Sequence, residues 1–304
     1  MSENQLLLAS GTLTERLKQQ TKYALYCGAL QPIPTEYEFV EQDNIRFVVR
    51  ILSNLSGKEQ ARKQQEKNII VTGQDFNPFL PYEKDLFVAD ISTTHLCLLN
   101  KYNVVDYHLL IVTREFEEQE SLLNLQDFQA LGSCMGEFEG LAFYNGGKTA
   151  GASQRHKHLQ VVPLPMIPSG EKIPIDRAIA TAKFNNGIGI TSQFPFRHAI
   201  AKLDVAWVHS PVESAAEILE FYLTLLKAVG IESRDGMNGK QSGHYNLLVT
   251  GEWMLVVPRS YEYFQSISVN SLGFAGALLV KNQEQMNIIK EQKPLTILRH
   301  VAAG

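Results

Sequence analysis

Two stretches of this 304-residue chain follow one plan, and that recurrence limits the folds open to it more than any other feature. HLLIVTREFEEQ begins at His108, and WMLVVPRSYEYFQ begins at Trp253. Each is a short apolar run with β-branched residues, then an arginine, then an aromatic and acidic stretch ending in glutamine (Gln119 and Gln265). Runs of this length and composition form strands. Two readings are open: chance likeness between two common strand patterns, or two related halves packed around one site. On the second reading the fold class is α+β, each half an antiparallel sheet flanked by helices.

Around these runs the chain alternates helix and strand signals. Glu15 stands three residues after Thr12, the capping-box spacing, so a first helix is expected there. Ile45–Leu52 reads as a strand. Residues 57–67 are polar and basic, and the segment NPFLPYE from Asn77 is irregular because Pro78 and Pro81 exclude regular structure. Strands are expected over residues 94–99 and 107–113. Asn124 caps a helix whose apolar positions Phe128, Leu131, Met135, Phe138 and Leu141 keep helical spacing, with Gly146 and Gly147 ending it. A strand is expected at His158–Pro163. Residues 166–190 show weak periodicity and read as a connection. Ser210, Pro211 and Glu213 open a helix that Gly230 closes. Strands follow over 245–250 and 253–258, and a last helix over 278–290. The domain organisation is therefore a first half over 1–165, a connection over 166–190 and a second half over 191–304.

Hydrophobic residues make up 44% of the chain and charged ones 20%, which suits a packed core and not a disordered segment. A net charge of −4 argues against a nucleic-acid partner, since such proteins are usually basic. It leaves room for an anionic small molecule held by a few local cations. Cys27, Cys97 and Cys134 form no CxxC pair, so neither a zinc site of the usual spacing nor a disulfide framework is visible. The N-terminus lacks a basic segment followed by a long apolar one. No apolar run reaches the roughly 18 residues of a membrane helix. These features together predict a cytoplasmic protein with no membrane partner.

The stretch richest in chemistry is GASQRHKHLQ, residues 151–160. Alternation along a strand puts His156, His158 and Gln160 on one face and Lys157, Leu159 and Val161 on the other. Gly151, Ala152 and Ser153 just before them let backbone N–H groups come close to an anion. A neutral imidazole attacks phosphorus and leaves again readily, so it can carry a nucleotidyl group. Gln160 can donate to a phosphoryl oxygen and cannot take up a proton. Two other readings of His-x-His stay open on these residues alone: half of a metal site, or a core histidine pair satisfied by backbone.

ASQRHKHLQVVPLP resembles the active-site segment of the diadenosine tetraphosphate phosphorylases, or ATP adenylyltransferases. They form part of the galactose-1-phosphate uridylyltransferase branch of the histidine-triad superfamily, which carries His-x-His-x-Gln. NPFLPYEKDLFV, LLNKYNVVDYHLLIVTREFEEQ, YNGG, YNLLVTGEWMLVVPRS and SISVNSLGFAGALLVKN resemble further blocks of that family, in order. The resemblance implies two histidine-triad-like halves. It also implies phosphorolysis of a dinucleoside polyphosphate by phosphate, with no tightly bound cofactor. His158 would be the nucleophile, His156 would position the site and Gln160 would contact the phosphoryl group. Gly151, Ala152, Ser153 and Gln154 would hold phosphates and Asn145 would lie near the nucleotide. Asn100, Lys101, Asn270, Ser271, Leu272 and Lys281 would reach substrate. Lys58 would be the family's early phosphate-binding lysine, or else part of a charged helix face with Arg62, Lys63 and Lys67. A divalent cation such as Mg2+ would arrive with the polyphosphate. The rival functions are a hydrolase that uses water in the second step, and a nucleotide sensor that binds without turnover.

Overall fold

Ile45–Leu52 forms a strand, β2, as its β-branched composition predicts. It pairs antiparallel with β1 (Thr35–Gln42) and parallel with β15 (Ala277–Val280), which returns from near the end of the chain. The structure is a computed structural model that describes residues 5–52, 76–167, 170–234 and 239–304. Lys58, Arg62, Lys63 and Lys67 lie outside the described residues.

A ten-stranded sheet carries the site. Its order is β3 (Phe87–Asp90), β4 (His95–Leu99), β5 (Leu109–Thr113), β7 (His158–Pro163), β6 (Gly140–Gly146), β11 (His244–Val249), β12 (Trp253–Arg259), β10 (Ala199–Lys202), β9 (Ile188–Ile190) and β8 (Lys183–Asn185). All neighbours run antiparallel. The two halves meet where β6 pairs with β11 and Asn145 stands opposite Asn246. They join edge to edge in one sheet.

The recurrence in the sequence is a recurrence in the sheet. β4 and β5 form one antiparallel pair and β11 and β12 the other; β7 lies beside β5 as β10 lies beside β12. His158 stands opposite Val112, and Ala199 opposite Val256, so His198 falls at the corresponding place in the second half. In both histidines Nδ1–H donates to the carbonyl two residues back, His156 and Phe196 respectively, over 2.8 Å. The second copy has no open ring nitrogen. Its Nε2 is occupied by the Thr191 N–H at 3.0 Å, and Ile200 stands where the first copy has Gln160.

Helices α1 (Leu13–Cys27), α2 (Leu125–Met135) and, after the short α3 (Asp176–Ala180), α4 (Pro211–Ala228) cover one face. Leu159 and Val161 of β7 enter that core with Phe128, Leu131 and Tyr222. On the other face Leu141, Phe143 and Val162 pack against Phe47 and Val49 of β2. Phe79 with Leu96, Leu98, Leu110 and Val112 forms a separate cluster. Residues directly opposite across a ladder share a face, so His158 (opposite Val112) and Gln160 (opposite Leu110 and Phe143) stand between these last two clusters. A two-stranded ribbon, β13 (Tyr263–Phe264) with β14 (Ile267–Ser268), precedes the last helices. These are α5 (Ser271–Phe274), α6 (Gln283–Gln292) and α7 (Pro294–Val301). No helix among the described residues is long and apolar enough to cross a membrane.

Several expectations need correction. Thr12 precedes α1 but caps nothing; its hydroxyl turns back to Ala9 O, and the Glu137 carboxylate accepts from Gly11 N and Leu13 N instead. Asn124 does cap α2, in a reciprocal pair with Asp127. That helix stops at Met135, however, and Gly140–Gly146 is β6, buried throughout. A strand buried on both faces loses its alternation, and its apolar run then fits helical spacing as well as extended. Leu278–Val280, expected as the start of the last helix, is part of β15; a run of four apolar residues carries neither period. The stretch 166–190 is more ordered than a connection, because β8 and β9 extend the large sheet.

Candidate active site

His158 opens β7 with 5% of its surface exposed. Its Nδ1–H is committed to the His156 carbonyl, so the lone pair sits on Nε2, which has no hydrogen bond among the described residues. Burial pushes the ring's pKa down to about 4, and the neighbouring His156 ring adds to the fall. At neutral pH the side chain is therefore an uncharged imidazole with an open nucleophilic nitrogen.

His156 has no nitrogen to spare. Nε2–H donates to Thr113 O at 2.8 Å, and Nδ1 accepts from the Asn77 amide at 3.0 Å. Phe79 and Phe116 meet the ring edge-on, with centroids 5.6 and 5.5 Å away. This histidine pins the irregular Asn77–Tyr82 segment to the sheet and offers its carbonyl to His158. The pair is not arranged as two ligands for one ion, since His156 is fully engaged by protein.

Gln160 is oriented from behind. Its Oε1 accepts from His108 Nε2–H at 3.0 Å, and His108 Nδ1 accepts from the Asn100 amide at 3.1 Å. The Gln160 NH2 has no partner among the described residues, so it remains a donor beside His158. Asn100 thus acts through His108. His108 carries no signal in the sequence beyond opening the recurring stretch.

Asn145 shares the face of His158 and Gln160, two residues along β6 from Phe143. The β6–β7 ladder ends at Phe143 and Gln160; beyond it the carboxamide of Gln119 fills the gap. It accepts from His158 N at 2.9 Å and donates to Asn145 O at 3.0 Å and His158 O at 3.2 Å. Gln119, the glutamine that ends the first recurring stretch, thereby ties together the two residues that carry the site's side chains. The Asn145 Oδ1 faces three donors of the second half: Ser271 N at 2.9 Å, Asn246 Nδ2 at 3.0 Å and the Ser271 hydroxyl at 2.8 Å, whose one proton is also within reach of Tyr144 O at 2.9 Å.

The preceding loop suits an anion. Gly151 has φ of +89°, and a Cβ there would lie 2.9 Å from Asn270 Cβ, so only glycine lets the loop and α5 come together. The backbone N–H groups of Ser153 and Gln154 make no hydrogen bond among the described residues. Ala152 and Gln154 are half-buried and Ser153 is exposed. The structure thus gathers His156, His158, Gln160, Asn145, Gly151, Asn270 and Ser271. Leu272 belongs to the core beneath them. Lys101 is paired with Glu83 at 2.6 Å on the surface. Lys281 is exposed just past β15, its N–H held by Gln285, and is not on a helix.

Comparison with known proteins places the chain in a family. The family model described as the Ap4A phosphorylase N-terminal domain matches residues 3–181, and that of the ATP adenylyltransferase C-terminal domain matches 192–304. Diadenosine 5',5'''-P1,P4-tetraphosphate phosphorylase 2 of Saccharomyces cerevisiae is 28% identical over 281 residues, covering 84% of this chain and 82% of that protein. In fold, the chain is similar to the crystal structure of yeast Ap4A phosphorylase Apa2, with a TM-score of 0.76 and 22% identity over 97% of this chain and 95% of that one. With both family domains matched in succession over most of its length, the chain belongs to the Ap4A phosphorylase family.

Proposed function

We propose that the protein splits diadenosine tetraphosphate with phosphate into ATP and ADP. The observation that carries this reading is His158, held neutral with Nε2 open beside the Gln160 amide. In the first step Nε2 bonds to the α-phosphorus, the bridging P–O bond breaks and ATP leaves. The ring now carries positive charge, which the His156 carbonyl stabilises through Nδ1–H. In the second step a phosphate oxygen attacks the same phosphorus, the P–N bond breaks and ADP leaves. One hard displacement becomes two easier ones. The open N–H groups of Ser153 and Gln154 are suited to the polyphosphate, and a divalent cation such as Mg2+ enters as part of that substrate. A yeast phosphorylase with this fold was crystallised with Ap4A. The three free cysteines fit a cytoplasmic location.

Gln160 decides between phosphorolysis and hydrolysis. An amide can hydrogen-bond but cannot act as general base toward water. Phosphate is already anionic at neutral pH and needs no base. Without phosphate, the expected result after rapid mixing is a burst of about one ATP per site followed by very slow turnover. With phosphate, turnover continues and ADP appears alongside ATP. Steady release of AMP without phosphate, at a similar rate, would make the protein a hydrolase.

The depressed pKa of His158 gives a second expectation. Protonation removes the attacking lone pair, so the first step fails only as pH falls through the folded-state value of about 4. Single-turnover ATP release, followed by quenched flow, should be flat from pH 8 to about 5.5 and decline below that. A midpoint near 6.5, the usual value for histidine, would contradict the buried, neutral ring.

A further inference from the structure

The second half of the chain contributes a buried polar chain that ends at Asn145. Arg259 on β12 is 5% exposed, and no carboxylate lies within ion-pair distance of it among the described residues. Its guanidinium donates to Val301 O at 3.1 Å, Tyr261 O at 2.7 Å and Val269 O at 2.9 Å, and through Nη1 to Asn246 Oδ1. Such a buried cation is costly, and it strongly polarises what it touches. With Oδ1 fixed on Arg259, the Asn246 amide can only point its NH2 the other way. Its two N–H groups are shared there among Asn145 Oδ1 at 3.0 Å, Ser271 Oγ at 2.9 Å and Ala150 O at 2.8 Å. The Asn145 oxygen is then saturated, and its NH2, which has no partner among the described residues, is left on the face of His158.

We propose that Asn246, held by Arg259, is a positioning residue that fixes the Asn145 carboxamide with its NH2 toward the phosphoryl group being transferred to His158. This rests on the reaction proposed above. The direction of the Asn246 amide is set by one fact, that a guanidinium can only donate, and the Ser271 N–H sets Asn145 the same way round. Each carboxamide must accept on the Arg259 side and donate on the site side. The chain therefore delivers a fixed donor where negative charge develops, a task a freely rotating asparagine would do poorly. It also gives the second half, whose own histidine has no open ring nitrogen, a part in the chemistry of the first.

Asn246→Asp tests this with little change of shape. The carboxylate keeps its contact with Arg259, now as an ion pair, but cannot donate to Asn145, Ser271 or Ala150. The Asn145 amide loses one of its donors and gains an acceptor beside it, and turning its NH2 toward the new carboxylate would aim oxygen at the phosphoryl group. The expected result is a fall of about 100-fold in the single-turnover rate of ATP release, the usual effect of losing one transition-state donor. Near-UV circular dichroism should stay that of the parent. In an Asn145→Ala background the same substitution should add less than about threefold, because Asn246 acts only through Asn145. A folded Asn246→Asp protein within about threefold of the parent overturns the proposal, as does a full loss repeated in the Asn145→Ala background. Should Asn246→Asp fail to fold, Ser271→Ala removes one of the three donors with a smaller change. A loss of about fivefold that vanishes without Asn145 supports the proposal, and no loss overturns it. If the parent releases no ATP at all, the proposed reaction fails, and calorimetry with AMP still reads the positioning. Weaker binding by Asn246→Asp than by the parent supports it, and equal binding, or no binding by the parent, overturns it.

Discussion

His158→Ala should abolish turnover, by several orders of magnitude, in a protein that still folds. Losses of that size follow removal of a nucleophile whose intermediate the reaction requires. No neighbour can take over. Both nitrogens of His156 are bound, to Thr113 and Asn77. His108 is committed to Gln160 and Asn100, and the Nε2 of His198 is closed by Thr191 N–H. The fold should survive, because the strand is held through backbone groups: His158 N to Gln119, and the ladder to β5. Steady-state assays with phosphate present and circular dichroism would test both halves of this statement. Activity within about tenfold of the parent would refute the assignment of the nucleophile.

Just before the same strand, on the side of the helices, the largest loss of stability is expected. Lys157 is fully buried between the two histidines, with Nζ 2.6 Å from Asp127 Oδ2 and 3.0 Å from Glu117 Oε2. Asp127 is equally buried; it also takes His95 Nε2 at 3.0 Å and caps α2 through Asn124 N at 2.7 Å. Burial by itself would raise the Asp127 pKa, but Lys157 and His95 outweigh it and hold the value at about 2. Lys157→Met leaves that carboxylate without its cation. Breaking a buried pair in this way costs about 3–5 kcal/mol, which urea denaturation would register as a clear drop in midpoint. Adding Asp127→Asn should recover part of it, since a neutral amide has far less charge to desolvate. A loss below about 1 kcal/mol would mean that water reaches the pair.

The histidine strand was the most legible part of the protein. Its alternation held: Leu159 and Val161 face the helices, while His158 and Gln160 face the site. The repeated stretch was legible as a pattern, and the sheet shows its cause in the corresponding places of His158 and His198. Less legible were β6 and β15, whose apolar runs have no period of their own. Asn145 and Asn246 carried a signal of another kind. Each follows a tyrosine in an otherwise apolar strand, and a carboxamide in such a place requires a partner once buried. That two such groups were each other's partners was not visible, because the chain separates them by a hundred residues.

By itself the sequence determined the residue types and the local geometry that follows from them. Side-chain alternation, the Asn124 cap, the small residues before His156 and an imidazole followed two residues later by an amide are all short-range matters, set by backbone sterics and bonding reach. Only the tertiary structure decided which nitrogen of His158 is free, because that depends on burial and on the His156 carbonyl. Only it decided that Gln119 bridges two strands, that His108 orients Gln160 and that Arg259 reaches Asn145 through Asn246. These are contacts between strands distant along the chain, and their directions come from hydrogen bonds that exist only once the strands are side by side and water has been excluded from between them.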